Sequence, residues 1–197
     1  EVGQYLPSWR PDVDYRRSVS AQNALGGGVL LELSHEIDYL RWIFGEIEWV
    51  QAILAQQSDL EIDVEDTAHL FLGFTANDFE RQIIASVNLD FIRQDNTRLC
   101  TVVGKLGSLR WNGIAGTVEL WAIGTQGWQE IYKNESSRDE SYIAEWRHLI
   151  HCIEQGSQAM ITGEDGLKVL QIIESARAAS KTKSQVKIGS LNELGEL

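Results

Sequence analysis

A chain of 197 residues with 43% hydrophobic and 23% charged content holds enough apolar material for one substantial core, and its composition is globular rather than disordered. The formal net charge of −12 excludes the basic footprint that nucleic-acid binding requires, and a surplus of carboxylates serves solubility without identifying an acidic partner. No apolar run reaches membrane-span length and no basic-then-apolar leader opens the chain, so a cytoplasmic protein with no membrane partner is expected.

The two cysteines, Cys100 and Cys152, lie far apart and form no disulfide framework; they read as packing thiols of a reducing compartment. The chain opens at Glu1 without an initiator Met, on text that already reads as a strand. A piece of a longer protein is therefore expected.

Val2 to Leu6 reads as a short strand, followed by a polar loop from Pro7 to Asp12. After Gly26-Gly27-Gly28, the apolar positions Leu30, Leu33, Ile37, Leu40, Ile43 and Phe44 recur at three- and four-residue steps. They predict one helix from Leu30 to Phe44, stopped by Gly45. Strict alternation then predicts strands over Ala68–Phe74 and Ile83–Phe91. Thr97–Val103, a turn at Lys105, and further strands at Leu109–Trp111, Thr117–Ala122 and Trp128–Tyr132 follow. Ile143, Trp146, Ile150 and Ile153 form the core stripe expected of a helix ending at Gly156. Thr162-Gly-Glu-Asp caps a second one carrying Leu167, Leu170, Ile173 and Ala176, and a last strand falls at Val186–Ile188.

Strands joined by short turns imply an antiparallel meander rather than βαβ units. The expected fold class is α+β, a large, mainly antiparallel open sheet with helices packed on one face. The other face keeps Phe71, Ile84 and Ile92, so homo-oligomerisation through that open face is expected.

The segment following the glycines concentrates titratable groups. Glu32, His35 and Glu36 share one face of the predicted helix, with Asp38 close by. Histidine suits proton transfer near neutral pH, and a carboxylate one turn away can orient it. Glycines would let the backbone approach a ligand closely. A solvated polar stripe explains the same residues, and that alternative stands on the residues alone. His-Glu-Ile-Asp is a poor zinc motif because Tyr39 occupies the place of the second histidine, so no metal is expected. Trp9, Arg10, Tyr15 and Arg16 in the early loop are candidate substrate contacts, since arginine clamps carboxylates or phosphates with paired donors. Arg93, past a strand end, is a further candidate, and an exposed surface cation is the competing reading for each arginine.

The glycine triplet, apolar run, acidic residue and His-x-x-Asp resemble the motif opening the C-terminal domain of the glucose–fructose oxidoreductase/inositol dehydrogenase (Gfo/Idh/MocA) family. Gly104-Lys-Leu-Gly-Ser-Leu-Arg-Trp is similar to that family's strand–turn–strand, and Thr162-Gly-Glu-Asp-Gly-Leu-Lys-Val-Leu to its terminal helix. Leu33-Ser-His-Glu-Ile-Asp looks closest to members associated with surface-polysaccharide or nucleotide-sugar biosynthesis.

The resemblance implies a C-terminal substrate-binding and oligomerisation domain, residues 1–197, without the Rossmann domain that would bind NAD or NADP. It implies a sugar-type small-molecule substrate and an enzyme in the full-length protein, with this piece alone inactive. By the same resemblance, His35 is the active-site proton carrier and Glu32 its acidic companion. Two departures are visible: the acidic residue is Glu where the family has Asp, and it stands three rather than four residues before the histidine. A stand-alone, non-catalytic sugar-binding or oligomerisation module is the competing reading, and a metal-dependent hydrolase a third.

Overall fold

A computed structural model describes residues 1–75, 82–135 and 138–189. They form two compact units, one comprising Glu1–Thr97 with the segment from Leu167 on, the other Arg98–Gly166. Each is α+β, and the strand pairings within them are antiparallel with one exception, β1 beside β4.

The first unit begins with β1 (Val2–Gly3) and a single turn of helix, α1 (Leu6–Trp9), where the sequence suggested a longer strand and a loop. Pro7 explains the difference, because it suits the first turn of a helix and has no N–H to give a sheet. Three short 3₁₀ turns lead to α2 (Val29–Glu32) and α3 (His35–Phe44). The expected single helix is thus two. At the joint, Ser34, Glu36 and Ile37 donate to Leu31, Leu33 and Ser34, three residues back, so the spiral tightens from 3.6 towards three residues per turn. Gly45 stops α3 at a φ of 97°.

Strands β2 (Ile47–Ala55), β3 (Thr67–Phe74) and β4 (Ile84–Asp90) pair in turn, giving the order β1-β4-β3-β2 with the two-residue β9 (Val186–Lys187) beyond β2. β2 has no counterpart in the sequence reading; an irregularity between Ile47 and Trp49 breaks its period-two pattern. Ala68, Leu70, Leu72 and Phe74 of β3 and Val87 and Leu89 of β4 are buried, as their alternation requires. Val29, Leu30, Ile37 and Leu40, and Ile172, Ile173, Ala176 and Ala179 further along the chain, are buried as well. The other face leaves Ile53, Phe71 and Ile84 more than half exposed.

In the second unit, β5 (Thr97–Gly104), β6 (Gly107–Asn112), β7 (Thr117–Ala122) and β8 (Gln129–Lys133) form a meander. Its first hairpin turns on Lys105 and Leu106. α4 (Arg138–Gln155) departs from the expected core stripe: Ile143, Trp146, Ile150 and Ile153 are all exposed, and Cys152 is its buried hydrophobic residue. His148 explains that one anchor, since it accepts from the Met160 N–H at 2.9 Å and lies 3.5 Å from the Cys152 sulfur.

α5 (Gly163–Thr182) opens on a reciprocal cap in which the Asp165 carboxylate accepts from the Thr162 N–H and hydroxyl while Asp165 N–H donates back. Its buried stripe includes Ile173 and Ala176 as expected, but Leu167 and Leu170 are exposed while Val169 and Ile172 are inside. Both cysteines are free thiols. No helix among the described residues is long and apolar enough to cross a membrane.

Candidate functional site

The glycine triplet has a structural occupation. Gly28, at φ 112°, precedes α2, where a helix leaves its first N–H groups unpaired. Glu65 satisfies two of them: its carbonyl accepts from Val29 N–H and its carboxylate from Leu30 N–H, both at 3.1 Å. A Cβ on Gly28 would overlap that carboxylate. Gly27 is equally enclosed, by the carbonyls of Val19 and Ser20. The close approach these glycines permit is therefore to the chain itself.

Above α2 lies a cavity of about 160 Å³ lined by Leu6, Trp9, Arg10, Val13, Tyr15, Ser18, Val19, Ser20 and Glu32. Four of the sequence candidates, Trp9, Arg10, Tyr15 and Glu32, meet here, although they come from α1, the loop after it, a 3₁₀ turn and α2. Trp9 is held as a wall: its indole N–H donates to the Gln4 carbonyl at 3.1 Å and its ring meets Phe91 edge-on at 5.2 Å. Tyr15 accepts from Glu61 N–H through its hydroxyl. Arg10 has no ion-pair partner among the described residues, so its guanidinium is free to meet an anionic group. Ser18, Ser20 and Val13 were not among the sequence candidates, and a loop without periodicity gives no signal for them.

The other two arginines are committed elsewhere. Arg16 donates to Asp14 at 2.8 and 3.0 Å and to Glu61 at 2.8 Å. These hydrogen bonds raise the Arg16 pKa, and the bond from Arg16 holds the Asp14 carboxyl below its ordinary value. Arg93 binds Asp90 at 2.9 Å and also Glu1. Burial pulls its pKa down, and the bonds to Glu1 and Asp90 prevail and raise it.

His35 stands outside the cavity wall, at the start of α3, with its side chain 53% exposed. The carboxylate at its ring is that of Glu36, whose Oε1 lies 3.2 Å from Nε2. Glu32 instead ends α2 and faces the cavity, because the 3₁₀ joint separates the two residues that a continuous helix would stack. Glu36 is 1% exposed, a carboxylate on the buried stripe of Leu33, Ile37 and Leu40. That placement was available in the sequence, since position 36 follows Leu33 by three, and a charge on an apolar stripe is itself a signal. Among the described residues no three His, Cys, Asp or Glu side chains converge in a metal-holding group.

A family model described as oxidoreductase family, C-terminal alpha/beta domain, matches residues 4–188. Solved structures share the fold. A levoglucosan dehydrogenase in complex with NADH and levoglucosan has a TM-score of 0.80 and 19% identity over 95% of this chain and 57% of its own. An aldose–aldose oxidoreductase from Caulobacter crescentus complexed with glycerol gives 0.76 and 22% over 94% and 53%. The WlbA dehydrogenase from Bordetella pertussis, in complex with NADH and UDP-GlcNAcA, gives 0.67 and 19% over 94% and 52%. The chain thus spans little more than half the length of these solved relatives. No curated protein matches it.

Proposed function

The chain belongs to the Gfo/Idh/MocA oxidoreductase family through its C-terminal alpha/beta domain, and from that membership we propose that it is the substrate-side domain of an NAD(P)-dependent dehydrogenase or reductase. Its substrate is a sugar, cyclitol or nucleotide sugar, oxidised at a hydroxyl or reduced at a carbonyl, with a place in polysaccharide biosynthesis. The observation that carries the reading is the family match over residues 4–188. Solved relatives bound to NADH with levoglucosan, or to glycerol, support a nicotinamide cofactor and a polyhydroxylated substrate.

Among the described residues, the glycine run before α2 does not fit the cofactor's phosphates. A phosphate cradle needs glycines opening onto free backbone N–H groups, and here the glycine run is closed by its own carbonyls and by the Glu65 carboxylate, which repels anions. NAD or NADP, which exchanges hydride with the substrate carbon, is therefore held by a separate nucleotide-binding domain of the full-length protein. This chain supplies the rest. His35 takes the hydroxyl proton or returns it, and Trp9, Tyr15 and Arg10 form the substrate wall, with Arg10 meeting a carboxylate or phosphate. Arg16 and Arg93 serve the loop and the end of β4 instead. The exposed Ile53, Phe71 and Ile84 favour homo-oligomerisation through that sheet face, and a monomeric mass at micromolar concentration would count against it.

The test is turnover of the full-length protein with each nicotinamide against a panel of sugars and nucleotide sugars. His35→Ala is expected to lower kcat by about 10²- to 10⁴-fold with cofactor affinity held. Undiminished turnover removes His35 from the reaction. Sugar binding without turnover by either cofactor would replace the enzyme with a non-catalytic binding module.

A further inference from the structure

The cavity above α2 carries two charges that the chain itself leaves unanswered. Several of its polar groups are already engaged: the Trp9 indole N–H donates to the Gln4 carbonyl, the Ser18 hydroxyl to the Tyr15 carbonyl, and the Tyr15 hydroxyl oxygen accepts from the Glu61 N–H. Arg10 and Glu32 differ. Both line the cavity, and among the described residues neither side chain makes a hydrogen bond or ion pair, with the other or with any third group. We propose that the cavity takes one sugar ring bearing a carboxylate, its acid group on Arg10 and its hydroxyls on Glu32, so that the substrate class is the sugar acids. The inference rests on the reading of this cavity as the substrate wall of a sugar dehydrogenase or reductase.

Size and charge decide between the candidate ligands. At about 160 Å³ the cavity is smaller than the about 300–1,000 Å³ of sites that enclose a drug-sized molecule, so it receives a single ring, and a nucleotide attached to that ring stays outside. The charges of Arg10 and Glu32 cancel, and the other lining residues carry none. A carboxylate adds a single negative charge, which a guanidinium meets with two parallel N–H donors. A phosphate monoester adds about 1.5–2 negative charges at neutral pH, and the part that Arg10 does not neutralise is repelled by Glu32. The Glu32 carboxylate accepts hydrogen bonds and offers none, so it selects hydroxyl groups, which a polyhydroxylated ring supplies. A neutral sugar would satisfy Glu32 and leave the Arg10 donors without a counter-charge. Leu6, Trp9, Val13 and Val19 give the apolar surface that the C–H groups of the ring can cover.

The experiment measures binding to the full-length protein by calorimetry, with and without NAD or NADP, for matched trios of the gluco, galacto and manno series: the uronate, the hexose and the hexose 6-phosphate. In the series that binds, the uronate is expected to bind at least about tenfold more tightly than either companion, the difference a charge-assisted hydrogen bond makes. Arg10→Gln should bring uronate and hexose within about twofold of each other, and Glu32→Gln should narrow the gap between uronate and phosphate. Equal binding of uronate and hexose by the unsubstituted protein overturns the proposal, whether or not any variant folds. Tightest binding of the phosphate, a uronate preference that survives Arg10→Gln, or no binding by any trio overturns it too. Turnover separates this proposal from the reading beneath it. An Arg10-dependent uronate preference without turnover by either nicotinamide removes the dehydrogenase and keeps the acid site. Turnover of neutral sugars with no preference for the acid keeps the dehydrogenase and removes the acid site.

Discussion

Replacing Gly28 with alanine separates two roles that a glycine before a helix can have, approach to a ligand and accommodation of the chain itself. The substitution acts twice. The backbone sits at φ 112° and ψ 147°, a region reserved for glycine, and holding alanine there costs about 1–3 kcal/mol. The new Cβ also overlaps the Glu65 carboxylate, which must move off the Leu30 N–H and leave a helix-end donor unpaired, a further cost of about 1–3 kcal/mol. The expected total is about 2–6 kcal/mol, set by summing those two effects. Gly26→Ala provides the internal control: it too has a positive φ, 80°, but nothing lies within 4 Å of its added Cβ, so only about 1–2 kcal/mol is expected. Equilibrium urea unfolding measures both. In a Glu65→Ala background the overlap term vanishes, and the cost of Gly28→Ala should shrink to its backbone part. Equal costs at Gly26 and Gly28, or no change in the Glu65→Ala background, would refute the argument and return the glycines to a ligand role.

Gly73→Ala is expected to destabilise by about 1–3 kcal/mol, because the Trp49 ring lies where the methyl would go and must leave its place on the open face of the sheet; the Trp fluorescence of the folded protein should change with it. At the early loop, Arg16 holds the Asp14 carboxyl below its ordinary value of 3.8, so the stabilisation from this pair is present above about pH 4 and is lost as pH falls through the lowered folded value. An NMR titration of Asp14 should show its midpoint rise in Arg16→Ala; a midpoint unmoved by that substitution contradicts the pairing.

What could be read from the sequence was what depends on nearest neighbours and period. The alternation in β3 and β4 places Ala68, Leu70, Leu72, Phe74, Val87 and Leu89 inside, since a strand has only two faces to choose between. Gly45 and Gly156 end their helices at positive φ for local steric reasons. β2 escaped because its irregular start spoils the period that would reveal it. In α4 the apolar spacing was read correctly as helix, but spacing says which residues share a face, not whether anything within this chain covers it; Ile143 and Ile153 stay exposed.

The candidate site shows the same division with more consequence. Trp9, Arg10, Tyr15 and Glu32 were legible as chemistry-bearing side chains, yet their convergence on one cavity depends on how three 3₁₀ turns bring the loop back over α2, which no period encodes. The pairing of Glu32 with His35 assumed an unbroken helix across Leu33 and Ser34, both compatible with one by propensity. Glu65, thirty-five positions from Leu30, caps α2, and α2 runs only from Val29 to Glu32 before the chain tightens into α3. The tightened joint leaves Glu32 at the cavity and gives His35 to Glu36. The three-residue spacing from Glu32 to His35 therefore spans the joint between two helices and not one turn of a continuous helix.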